Sequence, residues 1–161
     1  VGRKPNTAGL GLEAAGVSTD AEGAVVVDSF SRTSVPNIFA VGDVTNRVQL
    51  TPVAIREGAA FAETEFNNNP TEVDYTFIPK AVFAQPPVGT VGFSEAEARE
   101  KFGLVDIYKT DFRPMKATMS GARSRTMMKL VVEPKASRVV GVHIVGEGAT
   151  EMIQCLAIAV K

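Results

Sequence analysis

The pattern of apolar and polar positions differs between the two halves of the chain. In the first half, the apolar runs at residues 23–30 and 38–43 predict strands, the second being a short continuous run typical of a strand buried on both faces. A helix is predicted with Thr51 as N-cap and Pro52 at its first helical position, ending at residues 67–70. This half has the pattern of an α/β unit.

The second half has the pattern of an antiparallel sheet with flanking helices, an α+β unit. Strands are predicted at residues 80–84, near 90–93, and at 105–112, 126–133 and 138–146. Residues 134–137 would join the last two strands as a hairpin. Ser94 with Glu97 forms a capping-box pattern that opens one helix, and a final helix is predicted from near Thr150. We expect a domain boundary in the proline-bracketed residues 70–79.

The composition is that of an ordinary soluble globular protein. Of 161 residues, 45% are hydrophobic and 22% charged, and the formal net charge is -1. Lys and Arg are scattered, which argues against nucleic acid or an anionic membrane surface as a partner. No apolar run is long enough for a membrane span or an export signal, so the cytoplasm is the default location and an organelle the alternative. Both ends look truncated, and we expect a fragment.

The single cysteine and single histidine restrict the chemistry. Because Cys155 is the only cysteine, an internal disulfide, a CxxC pair and a thiolate-rich zinc site are excluded within this sequence. Because His143 is the only histidine, most histidine-based metal clusters are excluded as well. No partner for nucleophilic or metal chemistry is visible near either residue. We therefore expect a buried thiol in an apolar helix and a packed or half-exposed imidazole in a strand.

Two further motifs favour structural interpretations. Residues 9–14, GLGLEA, match the loose dinucleotide fingerprint G-x-G-x-x-A, but that motif requires a preceding strand, and RKPNTA cannot be a buried strand. Four cations at residues 113–125 could meet an anionic, peptide-like ligand, although solvated loop charge is the simpler interpretation. They are Arg113, Lys116, Arg123 and Arg125.

The pair Gly42-Asp43 ends the second predicted strand. A Gly-Asp pair is by itself most often a turn, and the next cation along the chain is Arg47, so the carboxylate is either solvated or directed at a ligand. The helix predicted at Thr51 would present free N–H groups and a positive dipole end. An acceptor for hydroxyl groups beside a positive helix end suits a nucleotide cofactor.

Five segments in series resemble the flavoprotein disulfide reductases, and most closely the glutathione reductases of bacterial and plant type. They are VGRKPNT, VPNIFAVGDV, LTPVA, IPKAVFAQPPVGTVGFSE and MKLVVEPKASRVVGVHIVGEGATEMIQ. The resemblance covers the whole chain. It implies the end of an NADP-binding domain at residues 1–5, the C-terminal part of a Rossmann-like FAD-binding domain at 6–76, and a truncated antiparallel-sheet interface (dimerisation) domain with flanking helices at 77–161.

The resemblance also implies roles for residues at the flavin. Asp43, after Gly42, would accept a hydrogen bond from a ribityl hydroxyl of FAD. The helix at Thr51 would aim its N-terminus at the N1 and C2 carbonyl edge of the isoalloxazine, and Thr51 could add a direct hydrogen bond.

Other positions are implied at NADP and at the substrate. Gly2, Gln49 and Val82 fall where the family approaches NADP, and of these Gly2 and Val82 match the family in residue type. Met115 falls where the family meets glutathione disulfide across a homodimer. Ala59 replaces an Arg that contacts substrate in animal and enterobacterial glutathione reductases, whereas plant-type glutathione reductases and trypanothione reductases also carry a small residue there.

The implied activity is NADPH-dependent reduction of glutathione disulfide through FAD and a redox-active cysteine pair. The family's cysteine pair, its two nucleotide fingerprints and its C-terminal His-Pro are absent from this sequence. Two alternatives stay open. One is a related reductase acting on trypanothione or dihydrolipoamide, and the other is a non-catalytic dimerisation module.

Overall fold

The chain forms two compact units, Val1–Asp74 and Tyr75–Lys161. They are seen in a computed structural model that describes residues 2–161. The regular elements of unit 1 are a 3₁₀ turn at Gly42–Thr45 and helix α1 at Thr51–Phe66. The other described residues of this unit are turns, bends and extended segments.

The strands predicted at residues 23–30 and 38–43 are not formed as regular strands. Each segment makes one isolated bridge, Thr19 with Val25 and Arg32 with Phe39. A ladder needs a neighbouring strand to receive its N–H and C=O groups, and the described residues supply none alongside these segments. The expected burial of residues 38–41 on both faces is also wrong, since these side chains are only half-buried.

Helix α1 confirms the predicted helix, with a small difference at its start. The N-cap is Leu50, so Thr51 and Pro52 lie in the first turn, and no side chain caps the helix. The predicted N-cap role of Thr51 is therefore wrong by one position. Pro52 is tolerated there because the first N–H groups of a helix have no intrahelical partner.

Unit 2 is built on one five-stranded antiparallel sheet, as the pattern predicted. Its elements are β1 (Lys80–Val82), β2 (Val88–Gly92), α2 (Glu95–Phe102), β3 (Asp106–Phe112), α3 (Met115–Ser120), β4 (Thr126–Glu133), β5 (Arg138–Val145) and α4 (Ala149–Val160). The strand order is β1-β2-β5-β4-β3. The predicted hairpin joins β4 to β5, with Glu133 opposite Arg138. The six-residue helix α3 was not predicted.

The two faces of the sheet are covered by different helices. On one face, Ile153 of α4 packs against Val142 and Ile144 in a fully buried cluster. On the other face, Ala98 of α2 packs against Val131 and Val140. Helix α4 approaches the sheet closely at Gly89, where an added Cβ would lie 2.5 Å from the carbonyl oxygen of Ala149. Glycine at this position is required by backbone proximity.

Candidate cofactor site

The Gly42-Asp43 pair forms a tight turn packed against the beginning of α1. Val41 is extended, with φ -134° and ψ 158°, and Gly42 reverses to φ +75°. A Cβ on Gly42 would lie 3.1 Å from the Cβ of Ala54, so both the backbone conformation and the packing favour glycine. Asn46 closes the turn in the left-handed region, its N–H donating to the carbonyl oxygen of Asp43 at 3.1 Å.

The Asp43 side chain is exposed and has no partner within residues 2–161. Its carboxylate makes no hydrogen bond or ion pair to any described residue. Arg47, the nearest cation along the chain, instead contacts Glu57 at 3.2 Å and Ser31 at 3.2 Å. The acceptor oxygens of Asp43 are therefore available to an external hydroxyl group, which fits a sugar-like ligand.

The first turn of α1 leaves one backbone donor, the N–H of Thr51, available near this turn, because Pro52 has no N–H. The carbonyl of Leu50 accepts from the N–H groups of Val53 and Ala54, and no side-chain oxygen caps the helix. Thr51 is exposed, and its hydroxyl makes no hydrogen bond within the described chain. Acceptors on Asp43 and donors at the helix tip thus lie in one unit, and this set suits the hydroxyl and carbonyl groups of a flavin.

Glu57 is a site residue that the sequence patterns did not reveal. Its side chain is 1% exposed, and its Oε2 accepts the N–H of Gly42 at 2.5 Å. The spacing of the sequence could have indicated that Glu57 is buried, because it lies on the same face of α1 as the buried residues Val53 and Ala60. A carboxylate on an apolar helix face requires a buried partner, which here is the turn and Arg47.

The residues assigned to NADP by resemblance lie in both units. Gly2 in unit 1 is exposed, with nothing within 4 Å of a Cβ built on it. The Gln49 amide donates to the Asn46 side chain at 2.8 Å. Val82, in β1 of unit 2, is exposed.

The two residues assigned to the substrate are both exposed. Ala59 lies on the outer side of α1 in unit 1. Met115 is the first residue of α3 in unit 2 and is 79% exposed. Each is accessible within its own unit.

His143 and three of the four cations at residues 113–125 make contacts within the described chain. The Nδ1 atom of His143 lies 2.7 Å from Thr90 Oγ1, and its Nε2 atom lies 3.1 Å from the carbonyl oxygen of Phe93. The carbonyl can only accept, so Nε2 carries a proton and the imidazole is oriented between strands. Among the cations at residues 113–125, Lys116 of α3 pairs with Glu147 and Arg125 pairs with Asp111, while Arg113 donates to the carbonyl of Ala122.

Cys155 and the GLGLEA motif lie outside the Gly42–Thr45 turn. The expectation of a buried thiol is wrong, because Cys155 is exposed on α4 while Ile153 and Ala157 of the same helix are buried. Residues 9–14 form turns without a following regular helix, so the phosphate-binding geometry of the fingerprint is not formed, in agreement with the sequence argument.

Residues 2–161 contain no group of three or more His, Cys, Asp or Glu side chains placed to hold a metal ion. Among the helices of the same residues, none combines the length and apolar character needed to span a bilayer.

Two family models match the chain. The pyridine nucleotide-disulphide oxidoreductase dimerisation domain matches residues 78–161, which is more than half of the chain. The pyridine nucleotide-disulphide oxidoreductase model matches residues 1–58. The chain belongs to the pyridine nucleotide-disulphide oxidoreductase family. The mixed fold class predicted from the sequence is thereby confirmed, with the interface-type sheet in unit 2.

Curated members of this family are similar over nearly the whole chain. Glutathione reductase, chloroplastic/mitochondrial, of Pisum sativum is 52% identical over 99% of this chain and 29% of its own length. Glutathione reductase of Burkholderia cepacia is 53% identical over 99% of this chain and 36% of its own. Trypanothione reductase of Trypanosoma congolense is 43% identical, covering all of this chain and 33% of its own. The chain thus spans about a third of these relatives.

A solved structure has a similar fold over this region. The HOCl-induced flavoprotein disulfide reductase RclA from Escherichia coli matches with a TM-score of 0.85 and 29% sequence identity. The match covers 99% of this chain and 37% of that one.

Proposed function

We propose that this chain is part of an NADPH-dependent FAD enzyme that reduces glutathione disulfide. One observation carries the proposal: glutathione reductases of plant and bacterial origin are 52% and 53% identical over 99% of the chain. The unpartnered Asp43 carboxylate beside the uncapped start of α1 supports it, because these groups fit a flavin. When bound, FAD would supply the two-electron redox chemistry.

In this proposal the residues of unit 1 hold and orient the flavin. Asp43 would accept a hydrogen bond from a ribityl hydroxyl, and Gly42 allows the turn that presents it. The N–H and hydroxyl groups of Thr51, at the start of α1, would donate to the ring of the flavin. Fixed dipoles at the ring stabilise negative charge without reorganisation. Gly2, Gln49 and Val82 are proposed at NADP by family position alone.

The proposed domain organisation follows the family. Residues 1–5 end an NADP-binding domain, residues 6–76 complete a FAD-binding domain, and residues 77–161 belong to the interface domain. The match to a dimerisation domain supports a homodimer formed through the last of these. We propose the cytoplasm as location, with an organelle as the alternative suggested by the chloroplastic/mitochondrial relative.

The proposed mechanism requires groups beyond those described here. The sequence has one cysteine, Cys155, so the redox-active pair would belong to another part of the protein. Ala59 and Met115 are proposed at the disulfide substrate, both being exposed.

A second candidate substrate is trypanothione disulfide. The 43% identity to a trypanothione reductase over the whole chain favours it as an alternative. Ala59 is compatible with either substrate, since by the family resemblance plant-type glutathione reductases and trypanothione reductases both carry a small residue there.

Steady-state turnover of the complete protein tests the proposal and separates these substrates. We expect NADPH oxidation with glutathione disulfide, at a kcat/KM well above that with trypanothione disulfide or lipoamide. Preference for either of the latter would overturn the substrate assignment. A protein without flavin absorbance and without NADPH oxidation would instead support a non-catalytic dimerisation module.

A further inference from the structure

The turn that presents Asp43 is held by side chains on both peptide groups of Gly42. The N–H of Gly42 donates to Glu57 Oε2 at 2.5 Å, and its carbonyl oxygen accepts from Thr45 Oγ1 at 2.8 Å. Gly42, Thr45 and Glu57 are all buried. Asp43 directly follows Gly42 in the chain, and its own side chain is exposed.

Glu57 is itself held in place by an ion pair. Its Oε1 lies 3.2 Å from Arg47 Nη2, and the same nitrogen donates to Ser31 Oγ at 3.2 Å. Because the glutamate is 1% exposed, its charge depends on these partners for compensation. The carboxylate therefore connects the middle of α1 to the turn at Gly42–Thr45 through two oxygens with separate donors.

We propose that Glu57 is the positioning residue for Asp43: by fixing the Gly42 peptide it aims the Asp43 carboxylate at the flavin. This inference rests on the proposed function, since it requires that Asp43 binds FAD. The two oxygens of Glu57 each accept from one donor, whereas a Gln amide presents one oxygen and one N–H₂ group and would place a donor against either Gly42 N–H or Arg47.

Flavin titration of the complete apoprotein tests this role. We expect Glu57→Gln to weaken FAD binding about tenfold, as for loss of a hydrogen bond to a charged group. The flavin absorbance spectrum of the bound fraction should also change. If Glu57 acts through Asp43, the double variant Glu57→Gln/Asp43→Ala should bind FAD no more weakly than Asp43→Ala alone.

Glu65→Gln is the matched control. Glu65 lies on the same helix and also pairs with an arginine, Arg32 at 3.0 Å, but its ion pair does not involve the Gly42 turn. Its FAD dissociation constant should equal that of the unmodified protein. If Glu57→Gln does not fold, Arg47→Lys tests the same role, because lysine keeps the positive charge but lacks the planar pair of N–H donors. FAD affinity is then expected to fall several-fold.

The outcomes separate this inference from the proposed function. If the unmodified protein binds FAD and Asp43→Ala weakens that binding, but Glu57→Gln leaves it unchanged or adds to Asp43→Ala independently, the positioning role is refuted and the proposed function stands. If the unmodified protein does not bind FAD, or Asp43→Ala has no effect on FAD affinity, the flavin role of Asp43 fails and the inference fails with it.

Discussion

Two carboxylates at the turn Gly42–Thr45 differ in their surroundings and therefore in what they can do. Glu57 is buried and bonded to Gly42 and Arg47, so its oxygens are committed to the fold. Asp43 is exposed and has no partner among the described residues, so its oxygens are available to a ligand. Residue type alone could not separate the two, because burial and partners decide which acid is structural.

Replacement of Asp43 tests its proposed contact with flavin. In the complete protein, Asp43→Ala should lower flavin content, with FAD affinity falling about tenfold through loss of a charge-assisted hydrogen bond. Asp43→Asn should lie between Asp43→Ala and the unmodified protein, because the amide oxygen still accepts. Flavin absorbance per polypeptide after gel filtration is the measurement.

The control for this substitution is Asp106→Ala. Asp106, in β3, is also exposed and makes no side-chain hydrogen bond or ion pair to the described chain. Its flavin content should be unchanged. Equal flavin content in Asp43→Ala and Asp106→Ala would contradict the role of Asp43.

At the scale of single elements, α2 is the helix whose start the sequence specified best. The N–H of Ser94 donates to Glu97 at 2.8 Å, and the N–H of Glu97 donates back to Ser94 Oγ at 3.3 Å, the predicted capping box. The bond from the Ser94 backbone lowers the pKa of Glu97, and the bond from Lys129 lowers the pKa of Glu95. The negative charge of both carboxylates also interacts favourably with the positive, N-terminal end of the helix dipole.

These lowered pKa values give a pH dependence of definite sign. A carboxylate with a lowered folded-state pKa stabilises the fold fully above its unfolded pKa of about 4.3 and loses that effect as the pH falls through the folded value. Amide protection of α2 should therefore decrease below about pH 4.3. Glu97→Gln should remove part of this decrease, whereas Glu100→Gln, on the same helix without a side-chain hydrogen bond to the described residues, should not.

Removal of the cap itself should be visible at neutral pH. Ser94→Ala is expected to destabilise α2 by about 1 kcal/mol, which corresponds to roughly fivefold faster hydrogen exchange of its amides. Hydrogen exchange by mass spectrometry of the peptide covering residues 95–102 is the measurement. Unchanged exchange would show that packing of Ala98, and not the cap, sets the local stability.

At the scale of the whole molecule, α4 carries a large apolar side chain, Ile158, that is not buried in the core of unit 2. Ile153 and Ala157 are buried, but Ile158 is 84% exposed. Because unit 2 matches a dimerisation domain, Ile158 is a position at which the proposed homodimer can be tested.

A charge at position 158 should weaken the proposed dimer if this side of α4 forms the interface. Ile158→Glu is expected to shift the complete protein towards monomer in sedimentation velocity, because a buried unpaired carboxylate opposes association. Leu104→Glu is the matched control, since Leu104 is similarly exposed at 81% but lies after α2, and its sedimentation should be unchanged. A fully dimeric Ile158→Glu protein would show that this face of α4 is not the interface.

Several features were predictable because they depend on neighbours in sequence. The capping box of Ser94, the hairpin between β4 and β5, and the extent of α1 all follow from local periodicity and turn chemistry. The strands at residues 23–30 and 38–43 were predicted from the same kind of pattern and are not formed, because a strand also needs a partner that is distant in sequence.

The sequence by itself determined the sheet-forming pattern of unit 2, the helix that follows Asp43, and the family of the chain, since these depend on residue order. Tertiary structure alone decided that Cys155 is exposed, that Arg47 binds Glu57, and that Asp43 remains without a partner in the described chain. The physical reason is that burial and pairing of charges depend on which elements pack together, and a glutamate on a helix face becomes an anchor only when a backbone N–H from another segment meets it.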